Sequence, residues 1–388
     1  MNILIISHNY PSERQPFLNT FIRDHYRAIS QMDGYEPKLI IPTPYAIPFS
    51  ERWKRNRSPL LDEQAGGRVT YLSIPSMRAP GFTSKMLSGK LLRFIPKSEN
   101  QILHLHWIYP SGLVIPVLAN KGFRTVLHIH GSDWYKTIGK PGFAPLIEKS
   151  LRSADTICVS GPLLKSDILK RFPGLKLREM GNFIDTGQFS LPDSVTIRKT
   201  RRRLRFDPDK FHFITIANIR HEKGVDLLLE AVKKLKRSDV CFHIIGQPPE
   251  GRFAGLIDSK LKELKSGRVI INNPVPRDEL VDWYHAADAY LLPSRSEGFN
   301  VSLLEALSTG LPAIATKVGG AEQVLKDSRG ILVEPESPGK IREAILKLVE
   351  NGGIGRSEES HHFIKKNYSM EQYCKVLKEI YSGLIDSQ

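Results

Sequence analysis

The runs beginning at Ile102 and at Val126 are apolar on successive residues instead of alternate ones. A strand buried on both faces reads this way, and such strands belong to parallel sheets covered by helices. Further strand candidates in the first half are Asn2–Ser7, Pro37–Ile41, Val69–Ile74, Thr156–Ser160 and Leu175–Met180, beside Ile102–His106 and Thr125–His130. Helical patterns lie between several of them, at Phe17–Ser30, Ser111–Asn120 and Pro162–Phe172. The alternation then restarts. Phe211–Ala217, Val240–Ile245, Val269–Ile271, Ala289–Leu292, Ala313–Thr316 and Gly330–Val333 read as strands, with helices beginning near Val225, Leu256, Asp278, Ser302 and Pro338. Strand–helix alternation means βαβ units. The chain is therefore expected to be α/β, with two Rossmann-like halves facing each other across a cleft. Leu191–Lys210, with the run Arg198–Arg203, reads as a linker plus one exposed basic turn or helix. No aromatic residues interleave that run, so no nucleic-acid partner is expected.

A chain of 388 residues accommodates two domains. No apolar run reaches the ~18 residues of a membrane span. Met1–Ser7 reads as a strand and not as a signal peptide. Cys158, Cys241 and Cys374 are far apart and form no C-x-x-C pair, which argues against a disulfide framework or a zinc site and favours a reducing, cytoplasmic setting. The formal net charge is +15, and residues 1–200 hold most of it, with 27 Lys and Arg against 15 Asp and Glu. That asymmetry suits an anionic partner for the first half, a membrane surface or a charged substrate, although general solubility explains it equally well.

In open α/β sheets ligands bind at the carboxyl ends of the strands. The strand Ala289–Leu292 runs into Pro293-Ser294-Arg295-Ser296-Glu297-Gly298-Phe299-Asn300, and a helix follows from about Val301. Ser296 and Asn300 suit a helix entry, and Gly298 lets the backbone approach a ligand. The amides of Phe299, Asn300, Val301 and Ser302 would face outward as an anion site, fit for a diphosphate. Glu297 and Glu305 flank it, and carboxylates accept hydrogen bonds from sugar hydroxyls. Together these features suggest a nucleotide-sugar site.

Glu297-Gly298-Phe299-x5-Glu305-Ala306-Leu307-x2-Gly310-x-Pro312, followed by Gly319-Gly320-x-Glu322, resembles the E-x7-E block of the retaining glycosyltransferases of family four, which have the GT-B fold. The resemblance spans essentially the whole chain. It implies an acceptor-binding domain over 1–195 completed by a returning helix at 370–388, a linker at 196–210 and a donor-binding domain over 211–369. It also implies transfer of a hexosyl group from a nucleoside diphosphate sugar to a hydroxyl with retention, and no cofactor or metal. The segment Ala217–Gly224 resembles the family's phosphate-binding loop, with Lys223 in the place of its lysine. Asn218 stands where an arginine is usual, and Arg220 follows two residues later. His130-Gly131-Ser132-Asp133 resembles the motif whose histidine contacts the transferred sugar. His104-Leu105-His106-Trp107 resembles the motif after another strand and is read as acceptor-side lining or as structure, and the first loop, with Asn19 or Thr20 where glycine is common, is assigned to the acceptor side. Gly181-Asn182-Phe183-Ile184-Asp185 resembles a loop-fixing motif. The resemblance thus names His130, Glu297 and Lys223 as catalytic. It names Arg220, Asn218, Gly298, Phe299, Asn300, Val301 and Glu305 for the donor, and Asn19, Thr20, His106 and Asp133 for the acceptor.

Residues 82–97 interleave Met86, Leu87, Leu91, Leu92, Phe94 and Ile95 with Lys85, Lys90, Arg93 and Lys97, and Arg52–Arg57 also mixes an aromatic with cations. Such a basic amphipathic stretch suits the interface of an anionic membrane and a lipid-linked acceptor in surface polysaccharide or glycolipid synthesis. A nucleotide-sugar epimerase of the same fold and a non-catalytic membrane-binding protein are the competing readings. A Rossmann dehydrogenase is disfavoured because no G-x-G-x-x-G follows an early strand. Asp207-Pro208-Asp209 precedes a strand and is discounted as a metal site.

Overall fold

The computed structural model describes residues 1–15, 20–46, 48, 50–58, 60, 66–71, 79–95, 98, 101–264, 267–326, 329–350 and 355–386. Asn19 and Lys97, and the side chains of Trp53 and Arg55, lie outside the described residues. Two compact units result, Met1–Asn182 with Tyr373–Gln388, and Phe183–Gln372.

The first unit is a parallel sheet of seven strands: β1 (Asn2–Ile6), β2 (Glu36–Pro44), β3 (Gly66–Tyr71), β4 (Gln101–His106), β5 (Arg124–Ile129), β6 (Thr156–Val159) and β7 (Leu177–Glu179). Their order across the sheet is β3-β2-β1-β4-β5-β6-β7. One face carries Leu4, Ile6, Leu103, Leu105, Leu127, Ile129, Ile157 and Val159 into an apolar core. The alternate residues form the other face. Register sets Ile5 beside His104, His106 beside His128, and His128 beside Cys158. The successive-residue pattern that marks β4 and β5 as doubly buried therefore conceals a difference between faces, hydrocarbon on one and imidazole on the other.

The second unit repeats the design with β8 (Phe211–Ile216), β9 (Val240–Ile245), β10 (Val269–Asn272), β11 (Ala289–Leu292), β12 (Ala313–Thr316) and β13 (Gly330–Val333), ordered β10-β9-β8-β11-β12-β13. Ile214, Ile245, Tyr290, Leu292 and Ala315 point into one core, and Phe213, Ile244, Leu291, Ile314 and Val333 into the other. Both faces are hydrophobic here, as the sequence pattern requires.

Three expectations change. The boundary between the units falls at Asn182/Phe183, earlier than residue 195, and the segment expected as a linker is largely the helix Ser194–Arg203. The expected exposed basic run is seen at Arg198, Lys199, Arg202 and Arg203, and it is tied to the second unit where Arg201 pairs with Asp288 and donates to the Ala286 carbonyl at 2.8 Å and Arg203 pairs with Asp282. The helix expected near Leu256 begins earlier and spans Gly251–Lys262. The basic amphipathic helix, Pro80–Phe94, buries Leu87 and Leu91, and Ile95 just beyond it joins the same core. Most of its apolar stripe thus faces its own domain, and only Phe82 and Phe94 remain as exposed large apolar residues beside Lys85, Lys90 and Arg93. Among the described residues no helix is long and apolar enough to cross a membrane.

The helix Met370–Asp386 packs as the sequence pattern indicates, with Tyr373, Leu377, Ile380 and Tyr381 buried in the first unit from Tyr373 onward. Urea unfolding separates the two faces of Pro80–Phe94. Leu87→Ala is expected to cost about 2–5 kcal/mol, whereas Phe94→Ser should change stability by no more than about 0.5 kcal/mol.

Candidate active site

A doubly wound sheet opens a crevice where the strand order reverses. In the second unit that point lies between β8 and β11, and the loops leaving these two strands carry Lys223 and Glu297. The β8 loop ends in a 3-10 turn, His221–Lys223, and Gly224 follows in the left-handed region at φ 64°. A Cβ at residue 224 would lie 2.0 Å from the Pro293 carbonyl oxygen, so only glycine lets the β8 loop meet the β11 loop this closely.

Glu297 is the hub. Lys223 Nζ donates to both of its carboxylate oxygens at 2.7 Å, and Ser294 Oγ donates to Oε1 at 2.7 Å. The Asn300 amide, turned to donate, reaches the same oxygens at 3.1 and 3.2 Å. Glu297 is 8% exposed, while Lys223 keeps 31% of its side chain open. The loop after β12 closes against Glu297 from another side. Gly319, at φ 57°, leaves only 2.3 Å between a would-be Cβ and Glu297 Cβ.

The helix Val301–Ser308 starts directly beyond this loop, and its first amides have no acceptors within the helix. Asn300 occupies its N-cap position but gives no side-chain cap, because its amide faces Glu297. Gly298 is not among the glycines with positive φ; Gly224, Gly319 and Gly320 hold that role here. Phe299 packs its ring on Gly320 and Tyr368, and Val301 packs on the core, so both offer a ligand their backbone and not their side chains.

Glu305 departs from the expected picture of a carboxylate open to the crevice. Its side chain is 5% exposed, accepts from Tyr284 Oη at 2.8 Å and pairs with Arg277 at 3.0 Å. It anchors the helix Val301–Ser308 to the helix Arg277–Ala286. Burial, with Glu305 beside it, pushes the Tyr284 phenol well above its ordinary value, so the phenol stays a donor. Asn218 is used within the framework as well, since its Oδ1 accepts from the Gln247 amide at 3.2 Å. Arg220 is exposed at the start of the 3-10 turn.

Arg295 is a positioning residue that motif reading passes over. Its guanidinium forks onto Asp226 with two bonds of 2.7 Å, reaches Glu336 at 2.6 Å and donates to the His221 carbonyl at 2.8 Å. Its own amide donates to the Glu222 carbonyl at 2.8 Å. With 12% of its side chain exposed, it fastens the Lys223 loop to the Glu297 loop from below.

In the first unit the order reverses between β1 and β4. His130, just past β5, lies stacked on His128 and His106, tilted against Phe21 and Trp107, with Nε2 3.0 Å from His106 Nδ1. Burial, then the neighbouring His128, holds its ring well below the ordinary histidine range and therefore neutral. Asp133 accepts from the Ile108 amide at 2.6 Å and the His130 amide at 3.1 Å, so it fixes the ends of β4 and β5. Burial pushes its carboxyl up to about 6, against the pull of these amides. Thr20 opens the helix Thr20–Ser30. Asp185 accepts from the amides of Gly187 and Gln188, consistent with a loop-fixing residue.

The chain matches two family models, "Glycosyltransferase Family 4" over residues 18–188 and "Glycosyl transferases group 1" over residues 196–370. It is 25% identical to the putative teichuronic acid biosynthesis glycosyltransferase TuaC of Bacillus subtilis, with 89% of each chain covered. It is also 25% identical to D-inositol 3-phosphate glycosyltransferase of Xylanimonas cellulosilytica, covering 94% of this chain and 91% of the relative. Among solved structures it resembles sucrose-phosphate synthase from Thermosynechococcus elongatus, with TM-score 0.79, 17% identity and 100% of both chains covered. It likewise resembles Anabaena HepE in complex with UDP-glucose, with TM-score 0.74, 15% identity and 99% and 100% covered. Fold and matches together define a glycosyltransferase of the GT-B class. Within that class the chain belongs to the family-four type.

Breaking a buried ion pair on one side leaves an uncompensated charge. Arg295→Ala is therefore expected to lower the unfolding free energy by about 3–5 kcal/mol in urea titration. Asp226→Ala added to it should cost much less than Asp226→Ala alone, because the two act as one unit.

Proposed function

We propose that this enzyme moves a hexosyl group from a nucleoside diphosphate sugar to a hydroxyl of a lipid-linked or polysaccharide acceptor, with retention of anomeric configuration. The observation that carries the proposal is the Lys223–Glu297 pair at the β8/β11 switch point, beside the start of the helix Val301–Ser308. A diphosphate suits the first amides of that helix. Lys223, already partly exposed, then exchanges Glu297 for the diphosphate, which frees the Glu297 oxygens for the sugar hydroxyls. Thr20, His106 and Asp133 belong to the acceptor side in this proposal, and His130 joins Glu297 and Lys223 as a catalytic residue.

The bond from the anomeric carbon to the diphosphate oxygen breaks, and the bond to the acceptor oxygen forms on the same face. The acceptor proton passes to the departing phosphate oxygen, so no protein nucleophile is required. Lys223 and the helix amides stabilise the charge gathering on the leaving group, a role that a metal fills in other transferases.

The kinship supports this reading. HepE was crystallised with UDP and with UDP-glucose. Relatives are named for teichuronic acid biosynthesis, lipopolysaccharide core mannosyl transfer and phosphatidylinositol N-acetylglucosaminyl transfer. The proposed setting is the inner face of the cell membrane, approached through Phe82, Phe94, Lys85, Lys90 and Arg93.

A thermal-shift screen over UDP, GDP and ADP, followed by NMR of the product made from the stabilising nucleotide's sugars, tests the reaction. An inverted anomeric linkage, or an epimerised nucleotide sugar formed without acceptor, would overturn it. Glu297→Ala should lower kcat by at least ~100-fold with an unchanged circular dichroism spectrum; full activity in that variant removes Glu297 from the site. Flotation with anionic liposomes should weaken when Lys85, Lys90 and Arg93 are changed to Glu, and unaltered binding would dismiss this helix as the membrane contact.

A further inference from the structure

We propose that His25, His104 and His106 form a binding site for one divalent transition-metal ion of the zinc type, inside the first unit and beneath the helix Met370–Asp386. His104 and His106 are two apart on β4 and project from the same face of the sheet. Their rings stack at 4.7 Å with an interplanar angle of 2°. His25, from the helix Thr20–Ser30, stands edge-on to both, 4.6 Å from each. One nitrogen from each ring lies within 4.8 Å of one from each of the other two.

The hydrogen bonds decide which nitrogens are available. Nδ1 is engaged in every case: His25 with Tyr373 Oη at 2.7 Å, His104 with Tyr381 Oη at 2.7 Å, and His106 with His130 Nε2 at 3.0 Å. Nε2 of all three is buried without a hydrogen-bond partner, and each residue is at most 1% exposed. A neutral imidazole has one N–H and one lone pair. When each Nδ1–H donates to its phenol oxygen or to the His130 lone pair, all three Nε2 atoms carry lone pairs. Three acceptors buried together without a donor are costly. A cation at their centre removes that cost.

The arrangement meets the further demands of a metal site. Metal-ligating histidines direct the other ring nitrogen to a fixing partner, and two tyrosines and a histidine supply those partners here. An all-imidazole donor set without carboxylates suits zinc, copper or nickel and not magnesium or calcium. Bonds of about 2.0–2.1 Å to zinc bring tetrahedral nitrogens roughly 3.3 Å apart, so on binding the nitrogens would close by up to about 1.5 Å and the parallel rings of His104 and His106 would turn to aim both lone pairs at one ion. Two other groups are less suited: both nitrogens of His212, beside Cys241 and His243, already have partners in Asp207 and His243, and in the group of His106, His128 and His130 the Nε2 of His128 is held by the Met180 carbonyl and that of His130 by His106. His106, placed on the acceptor side above, is one of the three ligands, so the proposed ion and the proposed acceptor side share that residue.

The test uses untagged protein stripped with chelator and then dialysed against Zn²⁺ or Co²⁺. Mass spectrometry is expected to find about one Zn²⁺ per chain, and Co²⁺ should give the intense visible bands of a four-coordinate ion. His25→Asn and His104→Asn should lose both signals, and His243→Asn should keep them. Tyr381→Phe, which keeps the ligands and removes a fixing partner, should weaken zinc by roughly 10–100-fold and remains informative if the histidine variants fail to fold. Uptake below about 0.1 equivalent, or a Tyr381→Phe protein binding as tightly as the parent, overturns the proposal. Loss of the ion in His243→Asn but not in His104→Asn would also overturn it, by placing the ion at the other cluster.

Discussion

The fork of Arg295 onto Asp226 is the interaction on which the meeting of the Lys223 and Glu297 loops rests. Lys223 and Glu297 come from loops 74 residues apart in the chain. Neither loop is held by a regular ladder at that point, and the sheet alone would fix only the ends of β8 and β11. Arg295 gathers the Asp226 carboxylate, the His221 carbonyl and the Glu336 carboxylate around one planar group. Its rigidity is what a lysine could not supply, because a single ammonium does not fix two loops in one plane. Gly224 and Gly319 complete the constraint by removing side chains where backbones must touch. The Lys223–Glu297 pair is thus positioned by residues that stand behind it.

Much of the fold was readable because parallel strands write themselves plainly. Each of the thirteen strands among the described residues overlaps a segment read as a strand, although β3 and β7 are largely polar within the strand itself, and the order of elements followed from their alternation with helices. What escaped was set by partners far away in the chain. The run Arg198–Arg203 has the composition of a linker, and only Asp282 and Asp288 turn it into a docked helix. Glu305 has the spacing of an exposed site residue, and only Tyr284 and Arg277, from another helix, bury it. Arg295 lay inside the quoted motif, but its importance comes from Asp226, 69 positions earlier.

The histidines show the same limit differently. Cysteine spacing gave no sign of a metal site, and the histidines of β4 and β5 read as separate motifs. Their convergence depends on strand register, which sets His106 beside His128, and on a helix from the start of the chain that brings His25 over them. That successive residues of each strand face opposite ways follows from strand geometry. Which face received imidazole was not visible, because a doubly buried strand hides its two faces behind one hydrophobic run.

The two tyrosines that bond His25 and His104 stand 348 and 277 residues further along the chain. The order of synthesis therefore runs against the order of completion. While the protein is being made, the first sheet emerges early with its imidazole face uncovered, and the whole second unit follows before the covering helix exists. The first unit closes last, although it begins first. For this chain, any nascent polypeptide that ends before Tyr373 lacks both phenols that cap the imidazole face.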